Sequence, residues 1–210
     1  MSKKLIAAAL GVGVAVVAAI VIFAGMDHHD SGSESGTDAA FVSEMVPHHQ
    51  GAIRMARLAR EKAEHPEIVA LADAIIASQS TEIDQMNGMD RRLSREGEAE
   101  GDLGMSDSMM GMDMDALAKA KPFDREFIDE MIPHHQGAIH MARVALANGK
   151  DEEVRDLAEA IIVAQSAEIE KMNQWRTDWY GAPSPAGGVP AEEEDSGHDV
   201  DSMSMESMDH

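Results

Sequence analysis

The sequence predicts an all-α protein, a four-helix bundle assembled from two tandem helix-turn-helix repeats. Three observations predict it. The segment FVSEMVPHHQGAIRMAR from Phe41 returns as FIDEMIPHHQGAIHMAR from Phe127, and one shift of 86 (127 − 41) aligns 41–87 with 127–173, 26 of the 47 positions being identical. No stretch alternates apolar and polar residues as a half-buried strand does, whereas apolar residues recur at helical spacing in both copies. Aromatics make up only 3% of the chain while Ala and Met abound, which suits helices with closely approaching backbones. Neither repeat has a partner for its own apolar face, so the two are expected to pair about a pseudo-twofold axis.

The elements follow in chain order. In residues 1–26, Lys3 and Lys4 precede an uncharged apolar run over 5–24, which at about 1.5 Å per residue is long enough to cross the hydrocarbon core of a bilayer. This segment reads as a transmembrane anchor, with a signal peptide as the alternative; either places the remainder outside the cytoplasm, with the membrane as a partner through the N-terminus. Residues 27–37 form a Gly/Ser/acidic spacer. Repeat 1 occupies 38–89, with a helix over 38–64, a break at His65-Pro66 and a second helix over 67–89. Residues 90–121 read as a Met-, Asp- and Gly-rich linker without regular structure. Repeat 2 occupies 122–181, with a helix over 124–147, a turn at Asn148-Gly149 and a helix over 151–180 that Gly181 and Pro183 end. Residues 182–210 read as a disordered acidic tail with further methionines.

Within each first helix stands a proline, Pro47 or Pro133, that deletes a ladder hydrogen bond and is expected to kink the helix. Gly51 and Gly137 each cost the helix about 1 kcal/mol relative to Ala. Penalties repeated at matching places in both copies point to a local geometry that serves a site.

On a helical wheel Phe41, Met45, His48, His49, Ala52, Ala56 and Ala59 share one stripe, with Met55 at its edge. The second helix carries Ile68, Leu71, Ala72, Ile75, Gln79, Glu82, Ile83 and Met86 on its inner face, so Gln79 and Glu82 interrupt an apolar stripe. The second copy repeats this with Met131, His134, His135 and Met141, then Gln165, Glu168 and Met172. Buried polar groups need partners, and His and Glu on facing helices satisfy each other or jointly hold a cation. For the methionines, simple core filling is the alternative to ligation.

The chain has no Cys but 17 Met and 10 His, so an exported protein of this composition would hold a soft metal through thioether and imidazole rather than thiolate. Its formal charge of −22 excludes nucleic acid and anionic membrane surfaces as partners and suits cationic ligands. The preferred reading is a non-enzymatic protein that buffers, sequesters or passes on copper, with Cu(I) favoured and silver as another soft candidate. The proposed ligands are Met45, His48, His49, Met55, Met86, Met131, His134, His135, Met141 and Met172, with Gln79, Glu82, Gln165 and Glu168 orienting them. A copper donor or acceptor protein is implied but not specified. Two rivals stand beside it: a membrane-tethered interaction module with a structural His/Glu network, and a ferritin-like di-metal oxidase. The oxidase would ordinarily need Glu-x-x-His on two helices, and no such motif occurs.

The doubled M-x-x-H-H-x-x-A-x-x-M-A pattern, followed each time by Q-S-x-E-I-x-x-M-N, resembles the exported bacterial family known as domain of unknown function 305, over residues 38–181. The resemblance implies a ferritin-like bundle and extracytoplasmic copper binding in copper tolerance. It points to the same Met45, His48, His49 and Met55, their counterparts Met131, His134, His135 and Met141, and Met86 and Met172 from the partner helices.

Overall fold

In the computed structural model, which describes residues 36–97, 103 and 113–191, the chain is all α. Its five helices are α1 Thr37–Lys62, α2 Pro66–Glu96, α3 Met114–Lys119, α4 Phe123–Asn148 and α5 Glu152–Tyr180. The apolar segment read as an anchor lies outside the described residues. Among the described residues no helix is long and apolar enough to cross a membrane.

Local chemistry sets the helix ends. His65 is extended (φ −90°, ψ 127°), as a residue before proline prefers, and Pro66 then opens α2 where its missing N–H costs nothing. Asp113 caps α3 by accepting from the backbone N–H groups of Asp115 and Ala116, and Asp151 caps α5 by accepting from Val154. Gly97 and Gly181 close α2 and α5 in the left-handed conformation (φ 82° and 85°), which glycine alone adopts without strain. Pro47 and Pro133 do not interrupt α1 or α4: both rings face solvent, and each helix continues past them.

The helices pack in pairs, α1 with α2 and α4 with α5, and the hairpins meet mainly through α1 and α4. Ala52, Ala56, Ala59 and Ala72 have no exposed surface, so small side chains let the backbones approach. The repeats also staple each other. Asp38, at the start of α1, accepts from the backbone N–H groups of Lys150 and Asp151 in the α4–α5 turn (2.9 and 3.1 Å). Its counterpart Asp124, at the start of α4, accepts from Glu64 and His65 in the α1–α2 turn (3.1 and 2.8 Å). Each carboxylate thus satisfies turn donors that helix geometry leaves free.

Two expectations about irregular segments are corrected. The linker expected from residue 90 begins later, because α2 runs on to Glu96, buries Leu93 and sends Arg92 to Asp151 (2.6 and 2.9 Å) and Glu153 (2.9 Å) of the other repeat. The linker also contains α3, whose Leu117 enters the core beside Phe123 and Phe127. The disordered tail expected from residue 182 does not start there either. Residues 184–191 form a strap along α4 and α5, held at backbone oxygens by Gln136, Arg143 and Asn173.

Candidate metal centre

The paired histidines lie inside the molecule where α1 crosses α4. His49 and His135 have no exposed surface, His48 retains 2% and His134 8%. Each pair divides its work. The inner residue donates from Nε2 to a carboxylate on the facing helix of its own repeat, His49 to Glu82 and His135 to Glu168, both at 2.6 Å. Nε2–H is given to the carboxylate, and in both residues Nδ1 is buried without a hydrogen-bond partner. A carboxylate behind an imidazole also fixes its orientation and raises its basicity as a ligand.

The outer residues face one another across the repeat boundary. The rings of His48 and His134 stand 3.8 Å apart between centroids at 41°. Burial away from water, reinforced by His49 and His135, pushes His48 down to about 3. Burial and the same neighbourhood of imidazoles push His134 well below the ordinary histidine range. Both rings are therefore neutral at physiological pH. Neither ring nitrogen of His48, nor Nδ1 of His134, has a hydrogen-bond partner.

Gly51 is explained here. A Cβ at residue 51 would lie 2.9 Å from Nε2 of His134, so the helix accepts a glycine where the other repeat's imidazole presses on its backbone.

The six predicted methionines are all buried, each with 0% or 1% exposure. They fall into two groups, and each group draws on both repeats. Met45 and Met86 share one apolar cluster with Met141, while Met131 and Met172 share the other with Met55. The shift of 86 that relates the repeats turns one trio into the other (45 to 131, 86 to 172, 55 to 141). Gln79 and Gln165 are buried as well, each with an unpartnered side-chain oxygen.

This donor inventory suits a soft cation. Unpartnered buried nitrogens carry a desolvation cost that a metal bond would remove, and thioethers prefer monovalent copper or silver to hard ions. Among the described residues no group of three or more His, Asp or Glu side chains is arranged to hold a metal by itself.

Asp38 and Asp124 obey the same shift as the motif but precede the region of dense identity, and so escape a reading based on that region. His65 lacks a counterpart in repeat 2. It bonds Asp124 through Nδ1 at 2.6 Å and stacks on Trp179 at 3.7 Å between centroids, closing one end of the molecule with Trp175 and Tyr180. His140, the other unmatched histidine of the helices, is exposed.

The sequence pattern of Domain of unknown function (DUF305) matches residues 38–176 and again 124–210. The chain belongs to the DUF305 family. Among solved structures it is similar to CopM in the Cu(I)-bound form, at 45% identity over 69% of this chain and 98% of that one, with a TM-score of 0.59. CopM in the Ag-bound form is similar at 44% identity over 69% and 97% of the two chains, TM-score 0.59. A DUF305 fragment from Deinococcus radiodurans is 30% identical over 70% of this chain and 99% of that one, TM-score 0.58. The uncharacterized protein L153 of Acanthamoeba polyphaga mimivirus is 40% identical over 50 residues, 24% of this chain and 33% of its own length. The chain thus matches about a third of that curated relative.

Proposed function

We propose that this DUF305 protein is an extracytoplasmic copper-binding protein that buffers Cu(I) or passes it on, and that it accepts Ag(I) by the same chemistry. One observation carries the reading: four buried imidazoles, His48 against His134 at 3.8 Å with His49 and His135 each 6.5 Å from its neighbour, keep unpartnered nitrogens. The likeness to CopM, known in Cu(I)-, Cu(II)- and Ag-bound forms, supports it.

The helices form a ferritin-like four-helix bundle in this reading, with one site at each trio. Met45, Met86 and Met141 act with His48 and His49 at the first. Met131, Met172 and Met55 act with His134 and His135 at the second. Because each trio mixes repeats, neither half of the duplication makes a complete site alone. Glu82 and Glu168 orient the inner imidazoles, and Gln79 and Gln165 line the same face. The protein is a carrier rather than an oxidase: carboxylates enter as supports of histidine, and the Glu-x-x-His signature of di-metal enzymes is absent from the sequence. Placement outside the cytoplasm rests on the apolar N-terminal run and on the choice of Met and His in a chain without cysteine.

Titrating the purified protein with Cu(I) against a competing chelator tests the proposal. The expected result is tight binding that disappears when His48, His49, His134 and His135 are all changed to Ala. Equal binding by that variant would remove the proposal.

A further inference from the structure

Beside the six buried methionines the described residues hold two more, Met89 and Met114. Both are half-buried, and they divide between the two clusters. Met89 packs against the cluster of Met45, Met86 and Met141, and Met114 against that of Met55, Met131 and Met172. Each trio of enclosed sulfurs thus shares its cluster with one methionine that reaches the surface.

The two arrive there by different routes. Met89 follows Met86 by three residues on α2, so the two side chains are neighbours on one helix face, with about 5–6 Å between Cβ atoms. The shift of 86 puts Trp175 at the matching position of α5, three residues after Met172, where it packs against the second cluster and stacks on Trp179 at 5.6 Å between centroids. Repeat 2 therefore has an indole where repeat 1 has a thioether. Its cluster gains a thioether from α3 instead, which rests on α1 and α4, the helices of Met55 and Met131, and opens with Met114. Duplication accounts for the trios but not for this pair, since one member comes from α2 and the other from the segment between the repeats. Packing does not demand methionine either, because Trp175 fills the equivalent position.

We propose that Met89 and Met114 are the exchange ligands of the two sites, the thioethers that receive Cu(I) or Ag(I) first at the surface and hold it last on release. The inference rests on the copper reading and adds the way in. Sulfurs with 0% or 1% exposure do not meet an ion arriving from outside. A soft monovalent ion passes between donors by substitution, the new ligand binding before the old one leaves, so an enclosed thioether site needs a soft donor at its rim. Methionine suits that place, because its unbranched side chain with three rotatable bonds swings a sulfur between cluster and solvent without moving the helix.

Protein loaded with Cu(I) in the absence of dioxygen is mixed with excess bicinchoninate, and release is followed by absorbance for wild type, Met89→Leu, Met114→Leu and the double variant, with Met203→Leu in the C-terminal tail as the reference. Leucine keeps the side-chain volume, so urea midpoints should stay close to wild type. Each single variant is expected to slow release of one of the two ions by about tenfold, the lower end of what losing a group that supports a metal costs, and the double variant to slow both. Met89→His restores a donor and should restore the fast phase. With Ag(I), the methyl resonances of Met89 and Met114 should shift together with those of the trios. A double variant that releases Cu(I) at the wild-type rate, or Met89 and Met114 methyls that ignore Ag(I), would overturn the proposal and leave the His134 edge, 8% exposed, as the entrance. Loss of a bound ion from a single variant would overturn it as well, by making that methionine a permanent ligand. Wild type that takes up no Cu(I) would remove the copper reading itself, whereas loaded protein indifferent to both substitutions removes only the exchange role.

Discussion

Acidification probes the buried histidine pair directly, because the His48 ring is held neutral by burial. Its folded-state pKa of about 3 lies below the 6.5 of an unperturbed histidine. Between those values the unfolded chain binds the proton and the folded chain does not, so stability rises with pH. The contribution from His48 is complete above 6.5 and is lost as the pH falls toward 3. Between pH 6.5 and pH 4 the difference is 2.5 units at about 1.4 kcal/mol each, so His48 alone should cost roughly 3 kcal/mol of stability. His134 is shifted in the same direction and adds to the effect. The assay is urea unfolding of the metal-free protein at several pH values in this window, for wild type and for His48→Leu. Carboxylates titrate in both proteins, so the difference between the two pH profiles isolates the imidazole. Wild type should lose stability more steeply by roughly 3 kcal/mol over the window. Parallel profiles would show that His48 is solvated or paired in the folded state, which would refute a buried, neutral His48.

Five other outcomes follow from the geometry. Gly51→Ala should destabilise the protein and weaken Cu(I) binding, because its Cβ would meet the His134 ring at 2.9 Å. In contrast, Gly88→Ala on α2, with nothing within 4 Å, should gain up to about 1 kcal/mol in thermal or urea unfolding. Glu82→Gln removes the carboxylate that orients His49 and should lower Cu(I) affinity by about 10- to 100-fold in chelator competition, with Glu168→Gln doing the same at the second site. Met86→Leu keeps the side-chain volume, so stability should change by less than about 1.5 kcal/mol while the bound copper measured by elemental analysis falls by one site of the two. Asp124→Ala releases the turn donors of Glu64 and His65 together with the His65 ring, and should cost at least about 2 kcal/mol in urea unfolding with little change in metal stoichiometry.

Helix class, the turns at His65-Pro66 and Asn148-Gly149, and the inward face of the His/Met motif were legible in the sequence because each depends on short-range rules. Periodicity places side chains on a face, proline and glycine punctuate, and a duplicated motif marks what is doubled. The length of α2 was not legible from such rules. Leu93 continues the stripe after two polar turns, and Arg92 gains its partners from the other repeat, so the helix runs past Met89 to Glu96. The strap over 184–191 was hidden for the same reason: a Pro/Gly-rich stretch looks disordered until the donors that hold it, Gln136 and Arg143, are known to be close.

What the sequence determined by itself is the inventory: two copies of a helical hairpin, each with paired imidazoles, three thioethers and a carboxylate at helical spacing. The tertiary structure decided the grouping. It brought His48 against His134, put Met141 in one apolar cluster with Met45 and Met86 and Met55 in the other with Met131 and Met172, and set the His134 ring where a Cβ at residue 51 would stand. These groupings join residues far apart in the chain, and spacing along one helix says which side chains look inward but not which partners share their surroundings. Only the crossing of α1 and α4 fixes that.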